Sequence, residues 1–149
     1  MNSNVEDALS SAATPGAVVI DTNVALDLLV FGDPAVQALH AALRAGTLRW
    51  LSTADMRAEL ARVLHYPRIA PRLAAAGLHE GSVLAGFDAL TVRVPAPPPC
   101  AARCRDPDDQ PFIDLAVHCC ATLLSKDACV LGLARHLAPL GVTVRRRWP

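Results

Sequence analysis

Short apolar runs alternate with segments of helical spacing along most of the chain. The first run, Ala-Val-Val-Ile at residues 17–20, ends at Asp21, and residues 24–31 then carry apolar side chains at helical intervals. The same pattern predicts further strands at residues 48–51, 91–94, 123–124 and 142–144. Helices are predicted between them, at residues 34–46, 54–64, 71–76, 81–89, 111–121 and 129–138. Because strands and helices alternate, we predict an α/β fold with a parallel sheet wrapped by helices.

Length and composition fit one domain. The chain has 149 residues, of which 52% are apolar and 19% charged, so it can bury a substantial core. Residues 1–15 are small and polar and lack the features of a signal peptide, so we expect a flexible tail before a single domain at residues 16–149. Gly, Pro or charge interrupts every apolar run before the roughly 20 residues that span a bilayer. We therefore expect a soluble, cytoplasmic protein with no membrane contact.

The overall charge gives no general reason to bind nucleic acid. The fourteen basic residues are balanced by fourteen acidic ones, and the formal net charge is zero. Binding to nucleic acid would therefore require a local basic patch.

Five cysteines are present, an odd number in a chain without an export signal, and this favours reduced thiols. Cys100 and Cys104 have a spacing that zinc sites use, with His118 or Cys119 as further ligands. However, Cys119 and Cys120 are adjacent and do not suit tetrahedral coordination of one ion, so the pattern disfavours zinc.

Four acidic residues stand where parallel α/β sheets place their ligand sites. Asp21 and Asp127 follow the first and fourth predicted strands, at the carboxyl edge of the sheet. Asp109 begins the helix that precedes the fourth strand, and Glu59 lies in the second turn of the third helix. Each one alone is an ordinary helix cap or surface residue. Together they predict one cleft in which carboxylates share a cation, and such oxygen ligands suit Mg²⁺ or Mn²⁺.

The motifs around these acids resemble those of PIN-domain ribonucleases. They are Val-Val-Ile-Asp-Thr-Asn-Val (18–24), Met-Arg-Ala-Glu-Leu (56–60), Asp-Pro-Asp-Asp-Gln-Pro-Phe (106–112) and Ser-Lys-Asp (125–127). The resemblance runs from about residue 17 to residue 144 and is closest to the bacterial VapC-like toxins of type II toxin–antitoxin systems. It implies a PIN-like three-layer α/β/α sandwich with a five-stranded, Rossmann-like sheet. It also implies metal-dependent hydrolysis of phosphodiester bonds in single-stranded RNA.

The resemblance carries roles over to individual residues. Asp21, Glu59, Asp109 and Asp127 match the family's metal-site acids. We expect the three aspartates to bind one or two Mg²⁺ or Mn²⁺ ions, and Glu59 to orient water or a neighbouring group. Four secondary candidates lie close to these acids in the sequence: Asn23, Ser125, Asp108 and Lys126.

The chain departs from the family pattern at two places. Ser125-Lys126-Asp127 stands where many relatives have Thr-Gly-Asp, and Cys119-Cys120-Ala121 replaces the usual Gly-rich turn. Lys126 would either pair with a carboxylate, contact a substrate phosphate or remain on the surface. Asp108 is either a site residue or a loop acid.

The expected partners are a single-stranded RNA substrate, an antitoxin protein and a second copy of the chain. An antitoxin arginine inserted among the carboxylates would block the metal. The arginines that would guide RNA phosphates toward the acids are Arg44, Arg57, Arg62, Arg145, Arg146 and Arg147.

Two alternatives to a nuclease remain at this point. A PIN fold without catalysis would serve as an RNA-binding or scaffold module. A receiver-like signalling domain would need a phosphoacceptor Asp at the end of a middle strand, but the third predicted strand ends at Val94. No Ser-His-Asp arrangement and no phosphate-binding loop compete with these readings.

Overall fold

The computed structural model describes residues 16–148, so the predicted tail, residues 1–15, lies outside the described residues. Within that range the chain forms a five-stranded sheet in which every pairing is parallel. The strands are β1 (Gly16–Ile20), β2 (Leu48–Ser52), β3 (Thr91–Arg93), β4 (Thr122–Leu124) and β5 (Val144–Arg145). Their order across the sheet is β3-β2-β1-β4-β5, so the first strand lies at the centre.

Eight α-helices accompany the sheet in the described part of the chain. They are α1 (Thr22–Leu26), α2 (Gln37–Ala45), α3 (Ala54–Val63), α4 (Ala70–Ala75), α5 (Glu80–Leu90), α6 (Gln110–Cys119), α7 (Ala128–Leu131) and α8 (Ala134–Leu137). Short 3₁₀ turns, Pro34–Val36 and Ala138–Leu140, precede α2 and follow α8. The predicted three-layer α/β/α sandwich is confirmed.

The alternating side chains of β1 explain why helices cover both faces of the sheet. Val18 and Ile20 pack with the helices from α1 to α5, whereas Val19 packs with α6, α7 and α8. All three are almost completely buried. A central parallel strand needs apolar residues on both faces, and the unbroken run Val-Val-Ile meets this need.

The first helix does not continue regularly through residue 31 as predicted. After α1 the chain widens into a π-helical turn, Asp27–Phe31, which ends at Gly32 in the left-handed conformation. The backbone N–H groups of Gly32 and Asp33 both bond to the carbonyl of Asp27. Such a turn inserts an extra residue and changes the direction of the side chains on either side of it. Here Asp27 itself is buried.

Two predictions near the C-terminus were wrong. The single helix predicted at residues 129–138 is divided into α7 and α8, separated by Gly132 and Leu133. Glycine weakens a helix interior, and Pro139 prevents regular continuation beyond α8. The last strand begins at Val144 rather than at residue 142, because Val142 comes directly after the turn at Gly141 and is buried in the core.

No single helix in residues 16–148 has the length and apolar character needed to cross a membrane. The consecutive helical segments Thr22–Phe31 and Pro34–Ala45 meet that standard only together, and they are bent by 107° at their junction.

Helix α6 ends at a residue under backbone strain. Cys120 has a φ angle of 50°, and no other non-glycine residue in the described range has a positive φ. A left-handed residue at this position closes the helix, and its N–H bonds to the carbonyls of Ala116 and Val117. Glycine adopts this conformation without the steric cost that a Cβ introduces.

We expect Cys120→Gly to raise the free energy of unfolding by about 0.5 to 1 kcal/mol, because it relieves this strain. The matched control is Cys119→Gly, which places glycine one residue earlier, inside the helix, and should cost about 1 kcal/mol. Urea unfolding of the two variants and the parent chain measures both effects. A loss of stability in Cys120→Gly would show that contacts of the Cys120 side chain outweigh the strain.

Candidate functional site

A cleft of about 210 Å³ opens at the carboxyl ends of β1 and β4. Six acidic residues line it: Asp21, Glu59, Asp106, Asp108, Asp109 and Asp127. The structure thus brings together the four acids that the sequence placed at this edge, although they span more than a hundred residues. Asn23 also lines the cleft, whereas Ser125 and Lys126 are not part of its wall.

Asp21 is held at the centre by two hydrogen-bond donors. It caps α1, and its Oδ1 accepts from the backbone N–H of Val24 at 2.9 Å. Its Oδ2 accepts from the Ser125 hydroxyl at 2.5 Å. Burial raises the pKa of Asp21, while the bonds from Ser125 and Val24 and the charge of Lys126 oppose that rise. The two hydrogen bonds fix the direction of the carboxylate, and Asp21 is only 4% exposed.

Ser125 links Asp21 to Asp127. Its hydroxyl donates to Asp21 and accepts from the backbone N–H of Asp127 at 3.1 Å. Asp127 in turn caps α7, since its Oδ1 accepts from the N–H of Cys129 at 2.8 Å. Ser125 is fully buried behind these two acids, so its position in the structure is that of a support rather than a wall of the cleft.

Asp109 differs from Asp21 and Asp127 because its side chain does not cap a helix. It occupies the N-cap position of α6 but makes no side-chain cap bond. An N-cap carboxylate normally accepts from the second or third helical N–H. Here the second residue is Pro111, which has no N–H, and the N–H of Phe112 bonds to the Asp109 carbonyl instead. The Oδ2 of Asp109 is buried and has no hydrogen-bond partner.

This unpartnered carboxylate holds its proton unusually strongly. The pKa of Asp109 is raised to about 7, first by burial and then by the negative charges of Asp127, Asp106, Asp21 and Glu59. Asp109 is half-buried, faces four other acids and has one oxygen without a hydrogen-bond partner. A bound cation would relieve the repulsion between these carboxylates.

Glu59 reaches the cleft from a different element, helix α3. It lies near the middle of α3, and its Oε2 accepts from the Thr22 hydroxyl at 2.6 Å. Thr22 follows Asp21 directly, so one motif orients two of the acids. We did not predict this role for Thr22, although Asp-Thr-Asn after the first strand was the available signal.

Asp106 is the second residue missed from the sequence. Single carboxylate oxygens of Asp106, Asp109 and Asp127 all lie within 4.8 Å of one another. The Oδ1 of Asp106 accepts from the N–H of Asp108 at 2.9 Å, which folds the Asp-Pro-Asp segment back on itself. The sequence signal was an acid three residues before Asp109, but Asp108 drew attention by being adjacent.

Lys126 points away from the cleft and pairs with a buried acid. Its Nζ lies 2.5 Å from Oδ2 of Asp27, in the π-helical turn, and only 11% of the Asp27 side chain is exposed. The extra residue of that turn places an acid where the loop after β4 can reach it. The pair joins the segment after β1 to the loop that carries Ser125 and Asp127.

The remaining basic and sulfur-containing groups lie outside the acidic cleft, with one exception. Arg57 forms a two-point ion pair with Asp88, and both bonds measure 2.8 Å. Arg44, Arg146 and Arg147 line other cavities. Arg68 lines the acidic cleft itself. All five cysteines are free thiols, and within residues 16–148 the only group with metal-ligand spacing is the aspartate trio.

The side chains present fit a hard divalent cation. Asp106, Asp109 and Asp127 offer oxygen atoms only, the kind of ligand that Mg²⁺ and Mn²⁺ prefer. The buried, unpartnered Oδ2 of Asp109 supplies an acceptor that nothing else in the described chain satisfies.

A parallel three-layer sandwich with acids gathered at the carboxyl edge of its sheet defines a nuclease-type α/β/α fold. The chain belongs to the PIN-domain family, since the family profile described as PIN domain matches residues 17–128. All four predicted acids fall within that range. PIN domains are generally nucleases and typically use divalent metals. No curated protein matches the chain.

We expect Asp109→Asn to stabilise the metal-free protein, because it removes a charge that four other acids repel. In the folded chain the pKa of Asp109 is raised from its ordinary value of 3.8 to about 7. Between these two pH values, unfolding of the parent chain releases a proton from Asp109, so the stability of the parent chain falls as pH rises. The gain should be absent below about pH 4 and complete above about pH 7. Solvent screening of this half-buried group limits the gain to about 1 kcal/mol.

Thermal unfolding in EDTA, near each end of this pH range, measures that gain. Asp88→Asn is the control: it removes the same charge from a carboxylate that Arg57 stabilises, and it should lower stability. An equal gain in both variants would indicate a general effect of negative charge and not one of this cleft.

We expect Lys126→Met to lower the free energy of unfolding by about 1 kcal/mol, because it leaves the Asp27 carboxylate buried without its cation. Adding Asp27→Asn should recover most of the loss. Urea unfolding of both single variants and the double variant gives the coupling between the two residues. Simple additivity would show that the pair contributes nothing to stability.

Proposed function

We propose that the protein is a metal-dependent endoribonuclease that hydrolyses phosphodiester bonds in single-stranded RNA. The observation that carries this proposal is the aspartate trio, in which three carboxylate oxygens lie within 4.8 Å and one member keeps a buried oxygen without a partner. Carboxylates this close repel one another unless a proton or a cation is shared between them. Membership in a family of nucleases supports hydrolysis of nucleic acid as the outcome.

In this proposal Asp21, Asp109 and Asp127 hold one or two Mg²⁺ or Mn²⁺ ions, with Asp106 as a further ligand. When bound, such an ion neutralises charge on the phosphate and lowers the pKa of water. Ser125 keeps the Asp21 carboxylate and the Asp127 backbone in register. The Thr22 hydroxyl donates to one oxygen of Glu59, and the other oxygen is available to accept a proton from the attacking water.

Asn23 and Asp108 line the cleft and complete its polar wall. Lys126 acts indirectly, because its ion pair with Asp27 holds the loop that carries Ser125 and Asp127. In the hydrolysis, the oxygen of water would bond to phosphorus as the bond between phosphorus and the 3′ oxygen breaks. The leaving 3′ oxygen would take a proton from solvent, so the products would carry a 5′-phosphate and a 3′-hydroxyl.

The proposal extends to a role as the toxin of a toxin–antitoxin pair, which rests on the resemblance of the four motifs to bacterial toxins. The matching partner is a protein that places a cationic side chain among the carboxylates and so competes with the metal. A homodimer remains a further proposal of the same origin.

We expect the purified protein to cleave single-stranded RNA with Mg²⁺ or Mn²⁺ and not with EDTA. Asp21→Asn should reduce cleavage by at least about 100-fold, because even residues that support metal ligands cost 10- to 100-fold when removed. End-labelled RNA separated on denaturing gels measures both effects. Retained metal-dependent cleavage in Asp21→Asn would overturn the site assignment.

Asp33→Asn is the matched control. Asp33 caps the 3₁₀ turn before α2 through the N–H of Ala35 and does not line the cleft. It should leave cleavage unchanged. Binding of RNA without cleavage under every metal condition would replace the enzyme proposal by a non-catalytic RNA-binding module.

A further inference from the structure

Tyr66 is an exposed aromatic side chain at the cleft. The chain has six aromatic residues, and most of them are in the core or covered by other side chains. Trp50, Phe87 and Phe112 are buried, and Arg72 stacks over Phe31 at 3.6 Å. Tyr66, by contrast, is 49% exposed and lines the same cleft as the acids.

The position of Tyr66 follows from helix α3. Glu59 and Val63 are four residues apart on one face of α3, and both line the cleft together with Tyr66. The turn after α3 continues this direction, since the N–H of Tyr66 bonds to the carbonyl of Val63 at 3.0 Å. Helix α3 ends at Val63, so Tyr66 lies in the turn that follows it. From there its ring lines the same cleft as the acids.

Arg68 supplies the positive charge that the cleft otherwise lacks. It lines the cleft two residues after Tyr66, is exposed, and is the one basic residue in a wall that holds six acids. Of the ion pairs in residues 16–148, none involves Arg68. Acids alone would repel a polyanion, so an approaching phosphate needs a cation at the edge of the cleft.

Tyr66 offers an exposed ring, and Arg68, two residues later, offers a guanidinium that has no ion-pair partner among residues 16–148. Together, at the edge of the cleft, these two groups match the chemistry of one unpaired nucleotide. Bases of single strands stack on aromatic side chains, and arginine contacts the neighbouring phosphate. We infer that Tyr66 and Arg68 form a nucleotide-binding subsite next to the acidic cluster. The Tyr66 ring stacks on an unpaired RNA base, and Arg68 binds a phosphate beside the one that is cleaved. This inference rests on the proposed function.

The subsite explains selection of single strands. A base held in a duplex is already stacked on its neighbours and cannot lie on the Tyr66 ring. Preference for unpaired RNA therefore arises in the turn after α3, outside the residues that bind the metal.

Binding can be measured apart from cleavage by placing the subsite variants in an Asp21→Asn background. Fluorescence anisotropy with a labelled single-stranded RNA and Mg²⁺ gives the dissociation constant. Tyr66→Ala should raise Kd about tenfold, as loss of one stacked base does, whereas Tyr66→Phe should keep it within about twofold. An unchanged Kd in Tyr66→Ala overturns the inference. An equal loss of affinity in both variants would show that binding depends on the Tyr66 hydroxyl and not on its ring. That result overturns stacking.

Arg68 is tested by the salt dependence of binding. Arg68→Ala should reduce the slope of log K against log salt by about 0.7, the value for one phosphate contact on a single strand. Arg44→Ala is the matched control, since Arg44 is an exposed arginine on α2 that lines a different cavity. If the slope changed equally in the two variants, Arg68 would contribute only general positive charge. That result would overturn its assigned phosphate contact.

Two further readouts separate the subsite from the acids and from folding. A duplex of the same sequence should bind equally to the parent and to Tyr66→Ala, and a tenfold loss there would contradict stacking. In the otherwise wild-type chain, Tyr66→Ala should raise KM for RNA and leave kcat within about twofold. A large fall in kcat with KM unchanged would place Tyr66 in the catalytic machinery instead and overturn the subsite. If no variant cleaves anything, the proposed function fails while the anisotropy results still decide the subsite.

Discussion

Repulsion between carboxylates gathered at one edge of the sheet is the constraint around which this structure is arranged. Parallel strands bring Asp21 and Asp127 to the same edge, so their charges meet as a consequence of topology. The fold offsets the cost with local donors: the Ser125 hydroxyl, the N–H groups at the starts of α1 and α7, and Thr22 beside Glu59. Asp109 is left without such a donor, and its pKa is raised first by burial and then by the charges of the neighbouring acids.

Two residues that depart from the motifs of the resembling family, Lys126 and Cys120, are each accommodated by the backbone around them. The lysine after Ser125 needs a partner for its charge, and the π-helical turn places the Asp27 carboxylate within reach of it. A left-handed cysteine stands where a glycine would be easier, and it still closes α6. In both places a residue that looks unsuitable in the sequence is accommodated by a local change of backbone.

Much of the fold and most of the acid cleft could be predicted from the sequence. The run Val18-Val19-Ile20 followed by Asp21 identifies a buried parallel strand and the edge at which it ends. Apolar periodicity and strand-ending residues are local properties, so they can be read from the sequence. The remaining features depend on distant contacts. The π-helical turn at Asp27 is matched to Lys126, about a hundred residues later, and the contribution of Asp106 depends on where Asp127 lies. Neither of these long-range contacts produces a periodic pattern of residues that could be recognised in the sequence.

The hydrogen bond between Ser125 and Asp21 joins residues 104 positions apart in a chain that is synthesised from its N-terminus. At ordinary rates of translation, about 5 to 20 residues per second, Asp21 leaves the ribosome several seconds before the serine that orients it. Until β4 and the residues directly after it are synthesised, the acid cluster lacks Asp127 and the Ser125 hydroxyl that orients Asp21. A growing chain therefore carries no complete site until Asp127 has been synthesised.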